Sequence, residues 1–386
     1  MIFLVIALPL RRFNLNLLRF NAVNWKLFVI TLIIFYLVIL AAPSEVYFLI
    51  AVQLMSLFFF FFSNHLLHFF IAFELRLVPV LILVLRKGST PEKISACLWT
   101  VFYTVCGSLP LLVSILVFAS KSCSDRIFVF FSSQLPFFFI FAFLVKLPIF
   151  GLHSWLPLLH VQAPVYCSMF LAGVLLKMGG YGLFIISGLQ FSSQFLCYLA
   201  LHGACLAMLI CFVENDLKVI VAYSRIGHIA LVLASLLVGN FQGQEARILI
   251  IVAHGFVSSG LFYVIDILYN SSGSRRLSLV KGLNNSSKAL FNWRMIFLLL
   301  NCSLPPTLNF LAEVFGIVSL TSLLPTVFCQ VLLLVLFCGL FNMLFLTRIG
   351  KGVFISSASL TISSKNFRVL ICHIIPVLIF SLWFFR

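Results

Sequence analysis

Stretches of about 18 or more residues with almost no charge recur along this chain from one end to the other. A helix of that length crosses the hydrocarbon of a bilayer. Lipid offers the backbone no hydrogen bonds, so each run must close its own; without polar alternation it does so as a helix, not as a barrel strand. Hydrophobic residues make up 63% of the chain and charged ones 9%, with a mean hydropathy of +1.21, which excludes an ordinary soluble domain. Candidate spans fall near 27–42, 46–62, 65–85, 95–119, 127–150, 164–187, 195–213, 217–238, 247–269, 288–303, 305–323, 325–347 and 367–385, about 12–14 in all. The expectation is an all-α polytopic membrane protein, with residues 1–386 as a single transmembrane domain. The most polar connector, residues 270–288, is an aqueous loop with no second domain. The opening "MIFLVIALPL" is too short to span and lacks a basic leader and a cleavage site, so no signal peptide is expected.

The net charge of +16 does not point to nucleic acid, because the basic residues are dispersed between apolar runs. Arg11, Arg12 and Arg19 form one group, Arg86, Lys87 and Lys93 a second, and Arg275, Arg276, Lys281 and Lys288 a third, as cations flank membrane spans. The eleven cysteines contain no C-x-x-C pair and lie mostly in apolar segments, among them Cys97, Cys106, Cys205 and Cys338. They read as small hydrophobes rather than as ligands of zinc or a cluster.

Against this apolar background a few charges stand out. Lys177 interrupts "SMFLAGVLLKMGGYGLFII", and Lys146, Glu74 and Glu313 lie in other apolar stretches. An ionisable group at membrane depth is costly and marks an ion or proton path. Proline supplies a second signal. Pro148 follows Lys146 by two residues, and Pro305-Pro306 precedes Glu313 by about two turns, so the sequence predicts two proline-broken helices. Irregular backbone at such depth is tolerated where it lines a cavity or is buried in protein, a pattern of transporters with repeated halves and a midplane site. Desolvation disfavours a lysine's charged form and a nearby carboxylate favours it, so a Glu/Lys pair that closes and opens can take and release a proton. Histidine suits a relay between such stations.

The run "KLPIFGLHSWLPLLHVQAPVYCSMFLAGVLLKMGGYG", from Lys146 to Gly182, closely resembles the signature of the antiporter-like membrane subunits of mitochondrial NADH–ubiquinone oxidoreductase, respiratory complex I. It is similar, more distantly, to membrane subunits of multisubunit sodium/proton antiporters. Supporting stretches are "FELRLVPVLILVLR" around Glu74, "FYTVCGSLPLL", "DLKVIVAYSRIGHIALVL", "AHGFVSSGLF" and "LPPTLNFLAEVFGI", in the family's order over residues 70–320. The resemblance implies an antiporter-like inverted-repeat fold with a proton-translocating core at 70–320. It implies that Glu74 and Lys146 are the glutamate–lysine pair, Lys177 the central lysine and Glu313 the terminal acid, with His228 and His254 on the polar axis between them. Lys218, at the start of a span, matches a family lysine of structural or secondary proton-path role.

The function implied is proton translocation in the membrane arm of complex I, driven by NADH-to-ubiquinone electron transfer in partner subunits. The chain is then part of an enzyme only within that assembly. It has no cofactor or metal of its own; NADH, FMN, iron–sulfur clusters and ubiquinone bind to partners. The other expected partners are membrane-arm and accessory subunits and lipids such as cardiolipin, with no nucleic acid, in the mitochondrial inner membrane. Phenylalanine supplies 46 of the 386 residues, as a thymine-rich organelle genome encodes. The alternatives are a subunit of a sodium/proton antiporter and a scaffold whose buried charges only hold helices together. The family's pattern has a lysine where this chain has Leu158 and a glutamate where it has Gln162, and Tyr166-Cys167 replace two small residues, so that stretch carries no assigned role. The chain also reaches Glu74 early, which implies one or two fewer N-terminal helices than the family's usual set. His153 and His160 are expected to have a structural role near an interface, Asp266 to sit at a helix end, and Gly179, Gly180 and Gly182 to permit close helix packing.

Overall fold

The computed structural model describes residues 13–14, 19–20, 22–88, 90–122, 136–186, 194–238, 240–282, 288–323, 325–350 and 363–384. Apart from a two-residue antiparallel pairing of β1 (Phe13–Asn14) with β2 (Arg19–Phe20), the described architecture is helical. In chain order the helices are α1 (Ala22–Ala41), α2 (Tyr47–Phe62), α3 (Leu66–Leu75), α4 (Leu77–Lys87), α5 (Lys93–Ser122), α6 (Pro136–Lys146) and α7 (Trp155–Gln162). Next come α8 (Val165–Phe170), a π-helical turn (Leu171–Leu175), α9 (Leu176–Ile186), α10 (Gln194–Val213), α11 (Leu217–Val238) and α12 (Phe241–Ser272). The last are α13 (Lys288–Asn301), α14 (Leu308–Leu323), α15 (Phe328–Gly350) and α16 (Ser364–Phe384).

Every candidate span contains a helix, except that the first part of the stretch near 127–150 lies outside the described residues. Among the described residues, 9 helices are long and apolar enough to cross a bilayer alone. Others are short because the chain breaks where proline requires it. α11 and α12 lie inside, with 89% and 94% of their apolar windows buried, whereas only 33% of the window of Pro325–Gly350 is buried. The inner helices therefore carry the polar groups, and the outer ones present Leu332, Leu336 and Leu340 to the surroundings.

Both proline breaks form. α6 stops at Lys146, its last bond running from the Leu147 amide to the Phe143 carbonyl at 2.7 Å. Pro148 has no amide to pair with the Leu144 carbonyl, and the chain turns through Gly151, whose φ of +99° suits glycine. The Trp155 indole then donates to the buried Val145 carbonyl at 3.2 Å. At the second break, between α13 and α14, Asn309 donates to the Leu300 carbonyl at 2.8 Å, and the Pro305-Pro306 bond is cis. A third break, at Leu75–Arg76 beside Glu74, was not expected. Pro79 in the first turn of α4 removes the donor that would pair with the Leu75 carbonyl.

Glycines on α9 let it approach α6. A Cβ at Gly182 would meet the Phe143 ring at 2.1 Å, and one at Gly179 would meet Leu147 at 2.8 Å. The close packing expected of this cluster is what the structure contains, and it brings the helix of Lys177 against the helix of Lys146.

Candidate functional site

Lys146 ends α6 pointing into the bundle, with 3% of the residue exposed. Its Nζ stands 3.5 Å from Glu74 Oε1, at the end of α3, and 4.7 Å from the centroid of Phe73. Neither atom of that pair has a hydrogen bond within normal limits, and the Glu74 side chain is 25% exposed. An ammonium and a carboxylate in this setting attract strongly because little solvent screens them.

Lys177 lies two residues after the π segment, as the second residue of α9. Its Nζ has no hydrogen-bond partner among the described residues. It lines a cavity of about 20 Å³ together with Leu147, Arg225, His228 and His254, room for about one water-sized molecule. His228 on α11 and His254 on α12 face each other with ring centroids 5.0 Å apart, and His254 Nε2 is buried without a partner. Leu147, next to Lys146 in the chain, also lines this cavity.

On its far side His228 Nδ1 meets Glu313 Oε1 at 3.1 Å, and Ser303 Oγ donates to the same oxygen at 2.6 Å. Cys338 Sγ on α15 lies 3.5 Å from His228 Nε2. A neutral His228 protonated at Nδ1 satisfies both contacts, donating to Glu313 and accepting from the thiol. Glu74 and Lys146 therefore form one group, and Lys177, His228, His254 and Glu313 a second.

Sequence reasoning missed the buried arginines. Arg76, 1% exposed, donates to the Phe73 carbonyl at 2.8 Å and to Leu175 at 3.4 Å, contacts the Met178 sulfur and lies 4.6 Å from the Phe73 centroid. Arg225, also 1% exposed, donates to the Ala172 carbonyl at 2.6 Å. The π-helical turn before Lys177 thus has carbonyls bonded by one cation from the bend between α3 and α4 and one from α11. Arg225 interrupts an apolar run as Lys177 does, so the same signal could have found it.

His160 lies on α7 and not in a loop. It is fully buried, stacked on Phe262 at 4.5 Å, with Nε2 3.2 Å from Arg225 Nη1. α7 carries Trp155, Leu156 and Leu159 into the bundle beside it. His153 stays at the turn, stacked on Phe150 and accepting from the Gly151 amide at 3.0 Å. Lys218 donates to the Ala163 carbonyl at 2.8 Å and Arg275 to Val161 at 2.6 Å, so cations cap the orphaned carbonyls at the end of α7. Asp266, bonded to Asn270 at 3.3 Å, shares a wider cavity of about 320 Å³ with Lys218 and Arg275. Gln162 donates to Glu92 at 3.0 Å, and Leu158 is 45% exposed.

Residues 63–341 match the family described as NADH:quinone oxidoreductase/Mrp antiporter, transmembrane. The chain belongs to this family. Its relatives include proteins named NADH-ubiquinone oxidoreductase chain 4. The one from Aedes aegypti is 36% identical over 326 residues, covering 80% of this chain and 72% of that protein. The one from Locusta migratoria is 40% identical over 264 residues, covering 65% and 59%. The chain thus spans about six-tenths of the length of several curated relatives it matches. A chain of respiratory complex I from Thermus thermophilus superposes with a TM-score of 0.87 at 20% identity, covering 98% of this chain and 88% of that one. A chain of the Mrp complex from Dietzia gives 0.82 at 19% identity, covering 93% and 42%. This family member accordingly has the antiporter-like membrane fold, with several helices that cross the bilayer.

Proposed function

We propose that this chain translocates protons in the membrane arm of a respiratory NADH–ubiquinone oxidoreductase of the mitochondrial inner membrane. The observation that carries the reading is the run of ionisable groups from Glu74–Lys146, past Leu147, through the cavity of Lys177, His228 and His254, to Glu313. With Glu74 close, Lys146 holds a proton as an ammonium. When Glu74 withdraws, Lys146 passes the proton to the Lys177 amine, which passes it to His254 and His228, and Glu313 receives it last. The opening of the first pair is driven by conformational or electrostatic change arriving from neighbouring subunits. Electron transfer, with its NADH, FMN, iron–sulfur clusters and ubiquinone, belongs to those partners. Accessory subunits and lipids such as cardiolipin complete the surroundings.

A subunit of a sodium/proton antiporter shares the fold, but the relatives at 32–40% identity carry the oxidoreductase name and favour the first reading. Finding the gene on a mitochondrial chromosome separates the two. Against a scaffold, the test is joint neutralisation, Glu74→Gln with Lys177→Met and Glu313→Gln, in the assembled enzyme in sealed vesicles. Proton uptake coupled to NADH oxidation is expected to vanish while the complex still assembles; retained pumping would make the charges structural.

A further inference from the structure

The end of Lys177 occupies the position that a side chain at residue 255 would take. A Cβ placed on Gly255 would lie 1.3 Å from Lys177 Nζ and 2.4 Å from its Cε, with the Gly173 carbonyl oxygen at 3.3 Å. No pair of non-bonded heavy atoms approaches so closely, so any side chain at residue 255 excludes the lysine from its present position. Other glycines on these helices are different. A Cβ at Gly260 would meet the Phe297 ring at 2.2 Å, and one at Gly182 the Phe143 ring at 2.1 Å. Rings packed in a core cannot move aside, so those glycines set how closely helices approach. At Gly255 the atoms in conflict are the far end of a flexible side chain, which can swing while the helices stay in place.

Backbone conformation does not require the glycine either. Gly255 lies within α12, without a positive φ, where alanine is the better helix former. What glycine supplies is a notch in α12 beside His254, and the end of the Lys177 side chain fills it. We propose that Gly255 is a positioning residue for Lys177, holding its Nζ against the α12 backbone at the cavity shared with His228 and His254. The inference rests on the reading of Lys177 as the central proton carrier.

The test uses Gly255→Ala in the assembled enzyme in sealed vesicles. Displacing a reacting group by about 1 Å lowers rates severely, so pumping is expected to fall about tenfold. A lysine moved off the backbone has a changed proton affinity, so the pH profile of pumping should shift by about one unit. Parental pumping overturns the inference, as does slower pumping with the parental pH profile, which a packing role would give. If Gly255→Ala fails to assemble, the double variant Gly255→Ala/Lys177→Ala decides. Restored assembly supports the conflict with Lys177, and failure of both overturns it. A cryo-EM map of Gly255→Ala separates the inference from the reading beneath it. An unmoved Nζ sinks the notch, whereas undiminished pumping by Lys177→Ala sinks the central role of the lysine.

Discussion

Glu74 meets Lys146 at 3.5 Å without a well-formed hydrogen bond, while Glu313 is held by His228 Nδ1 at 3.1 Å and Ser303 Oγ at 2.6 Å. The first carboxylate also ends a short helix beside a proline-made bend, and its side chain is 25% exposed against 15% for Glu313. A contact with Coulomb attraction but no directional bond can open at modest cost. A carboxylate fixed by a ring nitrogen and a hydroxyl cannot move without losing both. The two ends of the line therefore divide the work: the Glu74–Lys146 pair is built to part, and the Glu313 station is built to stay.

The largest effect expected from this comparison is at Lys146. Lys146→Met leaves Glu74 without its counter-charge and removes the first carrier, so redox-driven proton uptake should fall about a hundredfold. Full activity in a vesicle pumping assay would refute the loose pair as a switch. Next is the contrast between carboxylates. Glu74→Gln and Glu313→Gln should each slow pumping about tenfold, since each deletes one acid–base partner. Only Glu313→Gln is expected to alter the hydrogen-bonded environment of His228, seen as a changed imidazole resonance in spectra of the labelled enzyme. The smallest effect belongs to the support of the fixed station. Ser303→Ala removes one hydrogen bond from Glu313 and leaves the acid in place, so it should slow pumping only a few fold. A loss equal to that of Glu313→Gln would mean that the hydroxyl is itself a carrier.

Much of this was legible in the sequence, for local reasons. Proline's missing donor acts within four residues, so the breaks after Lys146 and before Glu313 could be written down from Pro148 and Pro305-Pro306. The glycines at 179 and 182 likewise announced a close approach. Which helix meets which is a long-range fact. That Glu74 contacts Lys146 across 72 positions rested on family resemblance and not on spacing. Cys338 read as a small hydrophobe and lies against His228. His160 read as a loop residue of structural role, yet the short α7 carries it into the core. Arg76 stands two residues after Glu74 inside the candidate span near 65–85, and the bend that turns it inward has its local sign in Pro79. The π-helical turn at Leu171–Leu175 has no proline or other local sign; the arginines that bond its carbonyls come from α11 and from the bend before α4.

Lys177, whose buried Nζ has no hydrogen-bond partner among the described residues, shares its cavity with His228 and His254 of the fixed station. The most direct measurement is the number of protons taken up per NADH oxidised by the assembled enzyme carrying Lys177→Met, in sealed vesicles. With the central carrier gone and the side-chain volume kept, this subunit's contribution to the count is expected to disappear. An undiminished count, in a complex that assembles normally, would contradict a proton line through Lys177.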